Sequence, residues 1–544
     1  MTTNPPKKVH QAVARTLRDN AVDTMFGVMG DANMFMCDSF IRDCGGKFIS
    51  GAHESGCMIM ALGYAHVSGK AGVCSVTHGA ALTNTITAMI EGVKASLPVV
   101  LLCGDTDPVD RESIQNVHQR DFVVAAGAGY ECLRSPKTVA QDVARAMRRA
   151  VIERRPVAVN LPYDWDWADT VYEPVSARVP DVRATVNASV DIDDAVGIIA
   201  GAKRPLILAG RGAGSPEARA AIVKLAARID APLATTVKGK DAFLGEDFDL
   251  GIFGTVSRPV AVETILESDC IIAFGASLNR YTMSGDTFAK GKRVVQINQE
   301  PEEIGKNLVP DVGVVGEYAA VADLIVHWLD EAEIPPSGFR TEALKKKLAG
   351  EAAERGKVSD NGNGTVDFQH TLEQLDRIFP ENRVYVVGGG RFMRQSWTRV
   401  RSTGPESFIN SASYGSIGLG MGYAIGAAVA SGGRPTCLIE GDGGFMHAGL
   451  AEFNTAVRHK LDLIVAICND GAYGAEYIKF QDRQMNPSNA RFDWPDLAPL
   501  AIACGGEGFT VRSAADWAGA EDAIKRRRGP LLIDIKLDPD RVKF

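Results

Sequence analysis

The sequence predicts an α/β protein built from three doubly wound units with parallel sheets. Short apolar runs of strand length alternate with longer segments whose apolar residues recur at helical spacing. Such alternation is typical of βαβ units, whose strands lie parallel between layers of helices. The 544 residues are too many for one core, and polar stretches divide the pattern into three units of similar length.

The first unit is assigned to residues 1–175, the second to 190–335 and the third to 363–544. In the first unit the pattern predicts two helices and four strands: helices Val9 to Asn20 and Glu54 to Ser68, and strands Thr24 to Val28, Phe48 to Ser50, Gly72 to Thr77 and Pro98 to Cys103. The second unit has predicted strands at Arg204 to Gly210, Cys270 to Phe274 and Arg293 to Ile297. Tyr172 to Val186 is predicted to be a linker, and the third unit follows the polar stretch Lys345 to Gly364.

Composition restricts the class of partner. The net charge is −8, so no basic field favours nucleic acid or an anionic membrane. The first residues lack the apolar core of a signal peptide and no run is long enough to span a bilayer, which predicts a cytoplasmic protein. The 10 cysteines contain no CxxC pair and often lie in apolar runs, which predicts reduced thiols without zinc or disulfides.

The stretch from Ile439 to Gly474 carries the clearest chemistry. The predicted strand around Cys437 ends at Gly441-Asp442-Gly443, a helical pattern follows, and Leu461 to Ile467 is predicted to be a second, buried strand that ends before Asp470. Because ligands bind at the carboxyl ends of parallel strands, Asp442 and Asp470 are expected to face one point. Two carboxylates and a loop carbonyl suit Mg²⁺ or Ca²⁺, and Mg²⁺ often completes its shell with phosphate oxygens. The glycines and the helix that begins after Gly444 would supply N–H donors to that phosphate. The alternative is an ordinary glycine-rich turn with an N-cap aspartate.

Further motifs resemble one family over nearly the whole chain. In order they are FGVMGDANMF, GAHESG, THGAALTN, RPLILAG, EEIGKN and the GDG stretch already described, which begin at Phe26, Gly51, Thr77, Arg204, Glu302 and Gly441. This order resembles the thiamine diphosphate (ThDP) enzymes of the acetohydroxyacid synthase, benzoylformate decarboxylase and pyruvate decarboxylase group. The resemblance implies a pyrimidine-binding first domain, a central domain and a diphosphate-binding third domain. It also implies a homodimer or homotetramer whose sites lie between subunits.

The resemblance assigns the cofactor contacts residue by residue. The metal ligands it implies are Asp442, Asp470 and the carbonyl of Ala472, although the family more often has asparagine in place of Asp470, whose extra charge is expected to tighten metal binding. The implied ThDP contacts are Gly30, Glu54, Asn84, Gly389, Gly390, Arg391, Ile417, Gly441, Gly443, Gly444, Tyr473 and Gly474. Among these, Ile417 is the apolar prop that holds the cofactor in its bent shape.

Glu54 is the first candidate for the catalytic carboxylate. ThDP is activated when a carboxylate shares a proton with its aminopyrimidine ring, and burial would raise the pKa of such a carboxyl towards the working range. Glu54 follows an apolar strand, begins a helix and matches the HE-x-G pattern of the family. A glutamate that only stabilises the positive end of the helix dipole is the alternative.

Four further polar residues are candidates for the substrate side. The family resemblance implies this role for Asp31, His78, His118 and Glu476, of which His118 lies near a glutamine position of acetohydroxyacid synthases. Such groups move protons in general acid and base catalysis. Individually each could be a loop aspartate or glutamate, or a structural histidine.

The function implied is a ThDP- and Mg²⁺-dependent lyase or carboligase that acts on a 2-oxo acid. Decarboxylation would give an enamine, which is then joined to a carbonyl acceptor as in acetolactate synthase, or protonated to release an aldehyde as in a simple decarboxylase. A non-decarboxylating lyase, a flavin-dependent oxidase and a silent regulatory subunit are the remaining alternatives. The turn Gly210-Arg-Gly-Ala-Gly-Ser could bind FAD or ADP, but Ser277 to Thr282 departs from the flavin-bearing pattern, so the central domain is expected to bind no nucleotide.

Overall fold

The computed structural model describes residues 6–107, 109–110, 112–180, 189–353 and 360–542. The described residues form three six-stranded sheets, and neighbouring strands within each sheet run parallel. The central strands of each sheet are buried along their length, because helices cover both faces. The predicted α/β class with three doubly wound units is confirmed.

The first sheet has the order β2-β1-β3-β4-β6-β5. Its strands are β1 Thr24–Gly27, β2 Lys47–Ser50, β3 Gly72–Val76, β4 Val99–Asp105, β5 Gly129–Cys132 and β6 Pro156–Pro162. The helices of this unit are α1 Val9–Asp19, α2 Met34–Arg42, α3 Glu54–Ser68, α4 Ala80–Asn84, α5 Ile86–Ala95, α6 Gln119–Ala125 and α7 Val139–Glu153.

The second sheet has the order β12-β11-β10-β7-β8-β9. Its strands are β7 Pro205–Ala209, β8 Leu233–Thr235, β9 Asp249–Ile252, β10 Cys270–Phe274, β11 Arg293–Asn298 and β12 Val312–Val315. The accompanying helices are α8 Val190–Gly201, α9 Pro216–Arg228, α10 Pro259–Glu267, α11 Tyr318–Glu331 and α12 Glu342–Ala353.

The third sheet has the order β14-β13-β15-β16-β18-β17. Its strands are β13 Val384–Val387, β14 Phe408–Asn410, β15 Thr436–Gly441, β16 Leu463–Asn469, β17 Glu507–Val511 and β18 Leu531–Lys536. The helices are α13 Phe368–Ile378, α14 Met393–Arg399, α15 Gly420–Ala430, α16 Asp442–Gly444, α17 Leu450–Arg458, α18 Gly474–Asp482, α19 Leu497–Ala503 and α20 Asp516–Arg526.

The first and third units share one hydrophobic core, which is centred on helices α3 and α15. The two helices meet so closely that glycines are required at the contact: a Cβ on Gly63 would lie 2.4 Å from the carbonyl oxygen of Tyr423. Glu452 of α17 adds a polar link, because its carboxylate accepts hydrogen bonds from the backbone N–H groups of Ala52 (3.2 Å) and His53 (3.1 Å). This link holds the start of α3 against the third unit.

Two features differ from the sequence prediction. The helix predicted to begin after Gly444 already begins at Asp442 and continues through a π-helical turn, Phe445–Gly449, into α17. Part of the polar stretch Lys345 to Gly364 is helix α12, and residues 354–359 of that stretch lie outside the described part. A polar sequence therefore does not distinguish an exposed helix from a linker, because both are exposed to solvent.

The cysteines and the hydropathy of the helices are as follows in the structure. All ten cysteines are free, and eight of them are buried. Among the residues that the structure describes, no helix is both long and apolar enough to cross a membrane.

Candidate active site

Asp442 and Asp470 lie side by side at the carboxyl edge of the third sheet. Strands β15 and β16 are neighbours, with Gly441 opposite Cys468, so the residues that follow the two strands are brought together. Burial raises the pKa of the Asp442 carboxyl, and the nearby Asp470 carboxylate raises it further. Two carboxylates held this close require a cation between or beside them when both are ionised.

Arg391 supplies one such cation. It lies in the turn after β13, and its Nη2 forms an ion pair with Oδ2 of Asp470. Only 2% of the Arg391 side chain and 10% of the Asp470 side chain are exposed. Arg391 also donates from Nη1 to the carbonyl of Pro539 at 2.9 Å, while Oδ1 of Asp470 accepts from the N–H of Ala472 at 3.2 Å. The extra charge that distinguishes Asp470 from an asparagine is thus paired within the protein.

Three buried polar atoms around this point have no hydrogen-bond partner among the residues that the structure describes: Oδ2 of Asp442, Nε of Arg391 and Oε2 of Glu440. An orphaned carboxylate oxygen suits a cation, and an orphaned guanidinium N–H suits an anionic oxygen. The described residues contain no cluster of three or more His, Cys, Asp or Glu side chains that could hold a metal. The unpartnered Asp442 oxygen beside Asp470 would fit a hard cation that takes two carboxylates and completes its shell with carbonyl and phosphate oxygens.

Glycines beside the two aspartates allow other side chains to pack closely on the backbone. A Cβ on Gly443 would lie 2.8 Å from the ring of Tyr473, and a Cβ on Gly474 would lie 2.5 Å from Nε of Arg391. The Tyr473 ring cannot swing away freely, because it packs edge-to-face on Phe492 with ring centres 4.5 Å apart. These glycines let backbone N–H groups at the start of α16 and α18 approach a ligand.

Ile417 lies on the loop between β14 and α15, with a glycine on either side of it. Gly415 and Gly418 adopt φ of 88° and 80°, which favours glycine and turns the loop sharply on both sides of Ile417. The Cα of Ile417 lies 3.7 Å from where a Cβ on Gly389 would stand, so the loop meets the turn Gly389-Gly390 that follows β13. Ile417 is half-buried at this position.

Glu440 is a buried carboxyl that the sequence analysis missed. It occupies the last part of β15 and lies among Gly388, Gly420 and Gly444, each of which would clash with it if it carried a Cβ. Its Oε1 accepts from the N–H of Gly441 at 3.2 Å, and burial raises its pKa to about 8. The sequence indicates this residue only by one acidic residue at the end of an otherwise apolar strand.

A second group of candidate residues lies in the first unit. Glu54 begins α3, and its Oε2 accepts a hydrogen bond from Nδ2 of Asn84 at 3.0 Å. Nε2 of His53 lies 3.9 Å from the same oxygen. The Glu54 side chain is 18% exposed, so it is less enclosed in a single chain than the sequence analysis expected.

Asp31 and His78 are brought together by the neighbouring strands β1 and β3. The N–H of Ala32 donates to Oγ1 of Thr77 at 3.2 Å, which joins the two turns, and Gly30 packs on Thr77. Burial lowers the pKa of the His78 imidazole, while the charges of Asp105 and Asp31 oppose this effect. The ring of His78 stacks parallel to Tyr163, with ring centres 6.0 Å apart.

His118 and Glu476 are exposed. His118 precedes α6, and its neighbour Gln119 is buried instead. Gln119 accepts from the N–H of Gly79 at 2.8 Å and donates to the carbonyl of Gly104 at 2.8 Å. The resembled synthases have a glutamine near this position. The presence of Gln119 next to His118 could therefore have identified Gln119 as the buried polar residue. Glu476 lies 3.7 Å from Lys479 on α18.

The two groups of residues stay separate within one chain. Glu54 and Asn84 contact each other in the first unit, and Asp442 and Asp470 interact in the third. Across the described residues, no hydrogen bond or ion pair joins the Glu54 group to the Asp442 group. The two groups are separate in the described part of a single chain, and each is called a half-site here.

The glycine-rich turn of the second unit is packed by the protein itself. Strand β7 ends at Ala209 and a short turn, Arg211–Ala213, follows. A Cβ on Gly212 would lie 2.7 Å from the hydroxyl of Tyr318, and that hydroxyl hydrogen-bonds Oδ1 of Asn298 at 3.1 Å. Tyr318 thus fills space beside the turn that resembled a nucleotide site.

The fold is that of an α/β protein whose strand ends could hold a diphosphate cofactor. Three family models match the chain: the N-terminal TPP binding domain of thiamine pyrophosphate enzymes at residues 7–125, their central domain at 192–325 and their C-terminal TPP binding domain at 388–535. The chain belongs to the thiamine pyrophosphate enzymes, in the acetohydroxyacid synthase group.

Curated relatives match over almost the full chain. The acetolactate synthase isozyme 2 large subunit of Escherichia coli is 27% identical over 97% of this chain and 95% of that protein. The acetolactate synthase of Mycobacterium bovis is 26% identical over 97% of this chain and 88% of its own length. The sulfoacetaldehyde acetyltransferase of Alcaligenes xylosoxydans xylosoxydans is 27% identical, with 93% and 88% covered.

Proposed function

We propose that the protein is a ThDP- and Mg²⁺-dependent enzyme that decarboxylates a 2-oxo acid and joins the remaining fragment to a carbonyl acceptor. The observation that carries the proposal is the pair of half-sites: Glu54 with Asn84 at one edge, and Asp442 with Asp470 below a glycine cradle at another. The acetolactate synthases among the relatives favour ligation over simple release. The proposal includes no flavin, because Tyr318 packs beside the glycine-rich turn.

The two half-sites are proposed to meet across a subunit interface. An open half-site in each of two units is completed when a second copy of the chain supplies the other half, and a two-fold dimer then has two equal sites. Glu54 of one subunit would thereby face the aspartates of the other. The partial exposure of Glu54 in a single chain supports this arrangement.

In the proposed site, Asp442, Asp470 and the carbonyl of Ala472 would hold Mg²⁺. When bound there, ThDP would supply a nucleophilic carbon and an electron sink for decarboxylation of the 2-oxo acid. Glu54, fixed by Asn84, would hold the proton shared with the aminopyrimidine ring. Ile417 would support the bend of the cofactor from the loop between Gly415 and Gly418.

A simple decarboxylase is the second candidate. Asp31 and His78 stand together at the carboxyl ends of β1 and β3, where burial lowers the pKa of the imidazole and the Asp31 charge opposes this effect, so the two groups could relay a proton. Such a pair would deliver a proton to the product carbon and release an aldehyde. A bulky carbonyl acceptor instead requires room beside the same residues.

The test is a product analysis. The protein is reconstituted with ThDP and Mg²⁺ and given a panel of 2-oxo acids, each with and without an aldehyde or a second 2-oxo acid. We expect CO₂ release and a 2-hydroxy ketone identified by mass. Aldehyde as the sole product would replace the ligase with the decarboxylase, and absence of CO₂ from every acid would reject both.

A further inference from the structure

A small polar cavity lies where the three units meet, away from the two half-sites. His66 of α3 lines it from the first unit, Arg211 and Lys238 from the second, and Asn410, Ser413 and Tyr423 from the third. Its volume of about 10 Å³ is the space of one water-sized sphere. The cavity is therefore large enough for a single atom or ion and too small for a phosphate.

Two cationic side chains face each other here without a carboxylate partner. Arg211 donates from Nη2 to the carbonyl of Ala95 at 2.7 Å, and in the described part of the chain neither it nor Lys238 forms an ion pair. Burial, and then the neighbouring Arg211, lowers the pKa of Lys238 to about 8, and burial lowers that of Arg211 to about 10. Both charges are thus held in an environment that penalises them.

A carboxylate near the cavity, Glu91, is hydrogen-bonded to other groups, although its charge still acts on Lys238 and partly opposes the lowering of its pKa. Glu91 is fully buried behind Tyr423 and accepts hydrogen bonds from the Tyr423 hydroxyl at 3.1 Å and from the N–H groups of Ser413 at 3.1 Å and Tyr414 at 2.6 Å. Arg154 adds a further positive charge near Arg211. The surroundings of the cavity therefore keep an excess of positive charge.

Two buried atoms of the lining have no partner. Oγ of Ser413 and Oδ1 of Asn410 are buried and make no hydrogen bond within the described part of the chain. The serine hydroxyl can donate to an occupant, and rotation of the Asn410 amide by half a turn would present its NH₂ group instead of its oxygen. Orphaned polar atoms around a cavity of this size indicate that something polar occupies it.

We propose that this cavity binds one monatomic anion, chloride in the cell, held by Arg211, Lys238 and the Ser413 hydroxyl. A water molecule would satisfy the hydroxyl and the amide but would leave the two cations uncompensated. An oxyanion would exceed the volume. Chloride offsets the pair with its charge; it is larger than a water molecule but smaller than any oxyanion, so it requires the least outward movement of the lining side chains.

The anion would connect the central unit to the cofactor half-site. Ser413 belongs to the loop that leaves β14 and carries Ile417, and Arg211 and Lys238 belong to the second unit. An occupant that bonds to both sides fixes the start of this loop against the central sheet. Halide binding would therefore stabilise the folded protein as a whole.

The first experiment locates the anion. Crystals of the full-length protein grown in sodium bromide are measured at the bromine absorption edge. We expect an anomalous peak between the Arg211 guanidinium and the Lys238 ammonium. Density for a water without anomalous signal would overturn the proposal.

The second experiment measures the effect in solution. Thermal unfolding is followed in potassium chloride and in potassium gluconate, whose anion cannot enter, at equal ionic strength. The wild-type midpoint should rise with chloride, and Lys238→Met should weaken the apparent chloride affinity by about tenfold or more. The control Lys224→Met, at an exposed lysine paired with Asp323, should keep the wild-type dependence.

Each outcome decides the question. Equal wild-type midpoints in both salts, even with a bromide peak, would mean an adventitious ion only. If Lys238→Met does not fold, the anomalous map and the wild-type salt comparison still decide. Neither result depends on ThDP, so failure here leaves the proposed enzymatic function untouched.

Discussion

Removing either partner of the Arg391–Asp470 ion pair should destabilise the third unit, and removing both should not. Both side chains are almost fully enclosed, with 2% and 10% exposed. Arg391→Met would leave Asp470 beside Asp442 without its cation. Asp470→Asn would leave the buried guanidinium charge with only neutral acceptors, the Pro539 carbonyl and the amide oxygen. Loss of one partner of a buried ion pair costs about 3–5 kcal/mol.

The double variant is the informative comparison. Arg391→Met with Asp470→Asn buries no unpaired charge and should lie within about 1 kcal/mol of wild type. The assay is urea unfolding at pH 7 without Mg²⁺ or ThDP, followed by tryptophan fluorescence. Arg399→Met is a matched control, because its pair with Glu373 is partly exposed, with 32% of the Arg399 side chain accessible, and should cost less than about 1 kcal/mol.

Additive losses in the double variant would refute this reasoning, since they would mean that the two residues stabilise the fold independently. The same variants carry a consequence for the metal. Without Arg391, two uncompensated carboxylates should bind bare Mg²⁺ on the order of tenfold more tightly. Calorimetric titration with MgCl₂ measures this change, and weaker binding by Arg391→Met would contradict the charge argument.

Three further predictions follow from single residues. Glu54→Gln keeps an oxygen to accept from Asn84, so it should bind ThDP normally in calorimetry yet lose more than about a hundredfold in turnover. Gly443→Ala places a methyl 2.8 Å from the wedged Tyr473 ring, and should weaken ThDP binding by about tenfold in the same titration while circular dichroism stays unchanged. Asp166 has its pKa raised to about 7 by burial and by Asp164, so folding favours the protonated carboxyl and the wild type loses stability as pH rises from 4 to 7. The stability of Asp166→Asn relative to wild type, measured by urea unfolding, should therefore increase between pH 4 and pH 8 by at most about 4 kcal/mol. A stability difference that does not change with pH over this range would contradict the prediction.

Much of the fold and part of the candidate site could be read from the sequence, for physical reasons. Apolar runs of strand length can be satisfied only by burial between helices, so the three parallel sheets followed from the alternation. Asp442 and Asp470 each end one of two consecutive strands, and consecutive strands of a βαβ unit often pair, so their proximity was predictable.

Other features depend on contacts between residues distant in the sequence, which local sequence patterns do not predict. The pairing of Arg391 with Asp470 requires β13 to lie beside β15, a strand order that the sequence does not specify. Gln119 is buried and His118 is exposed because of the orientation in which α6 begins, and the sequence does not specify that orientation. The bond from Glu452 to the start of α3 joins residues 400 positions apart. These three depend on tertiary packing, which overrides local preference.

The most direct test of the account is complementation between two inactive variants. Glu54→Gln and Asp442→Ala are each prepared alone, then mixed in equal amounts, dissociated and reassociated, and assayed with the 2-oxo acid that the wild-type enzyme turns over. If the site is shared between subunits, a hybrid dimer has one intact site, and random reassociation should restore about a quarter of wild-type activity. Activity no higher than that of the separate variants, with hybrid dimers shown by native mass spectrometry, would contradict a site assembled from two chains.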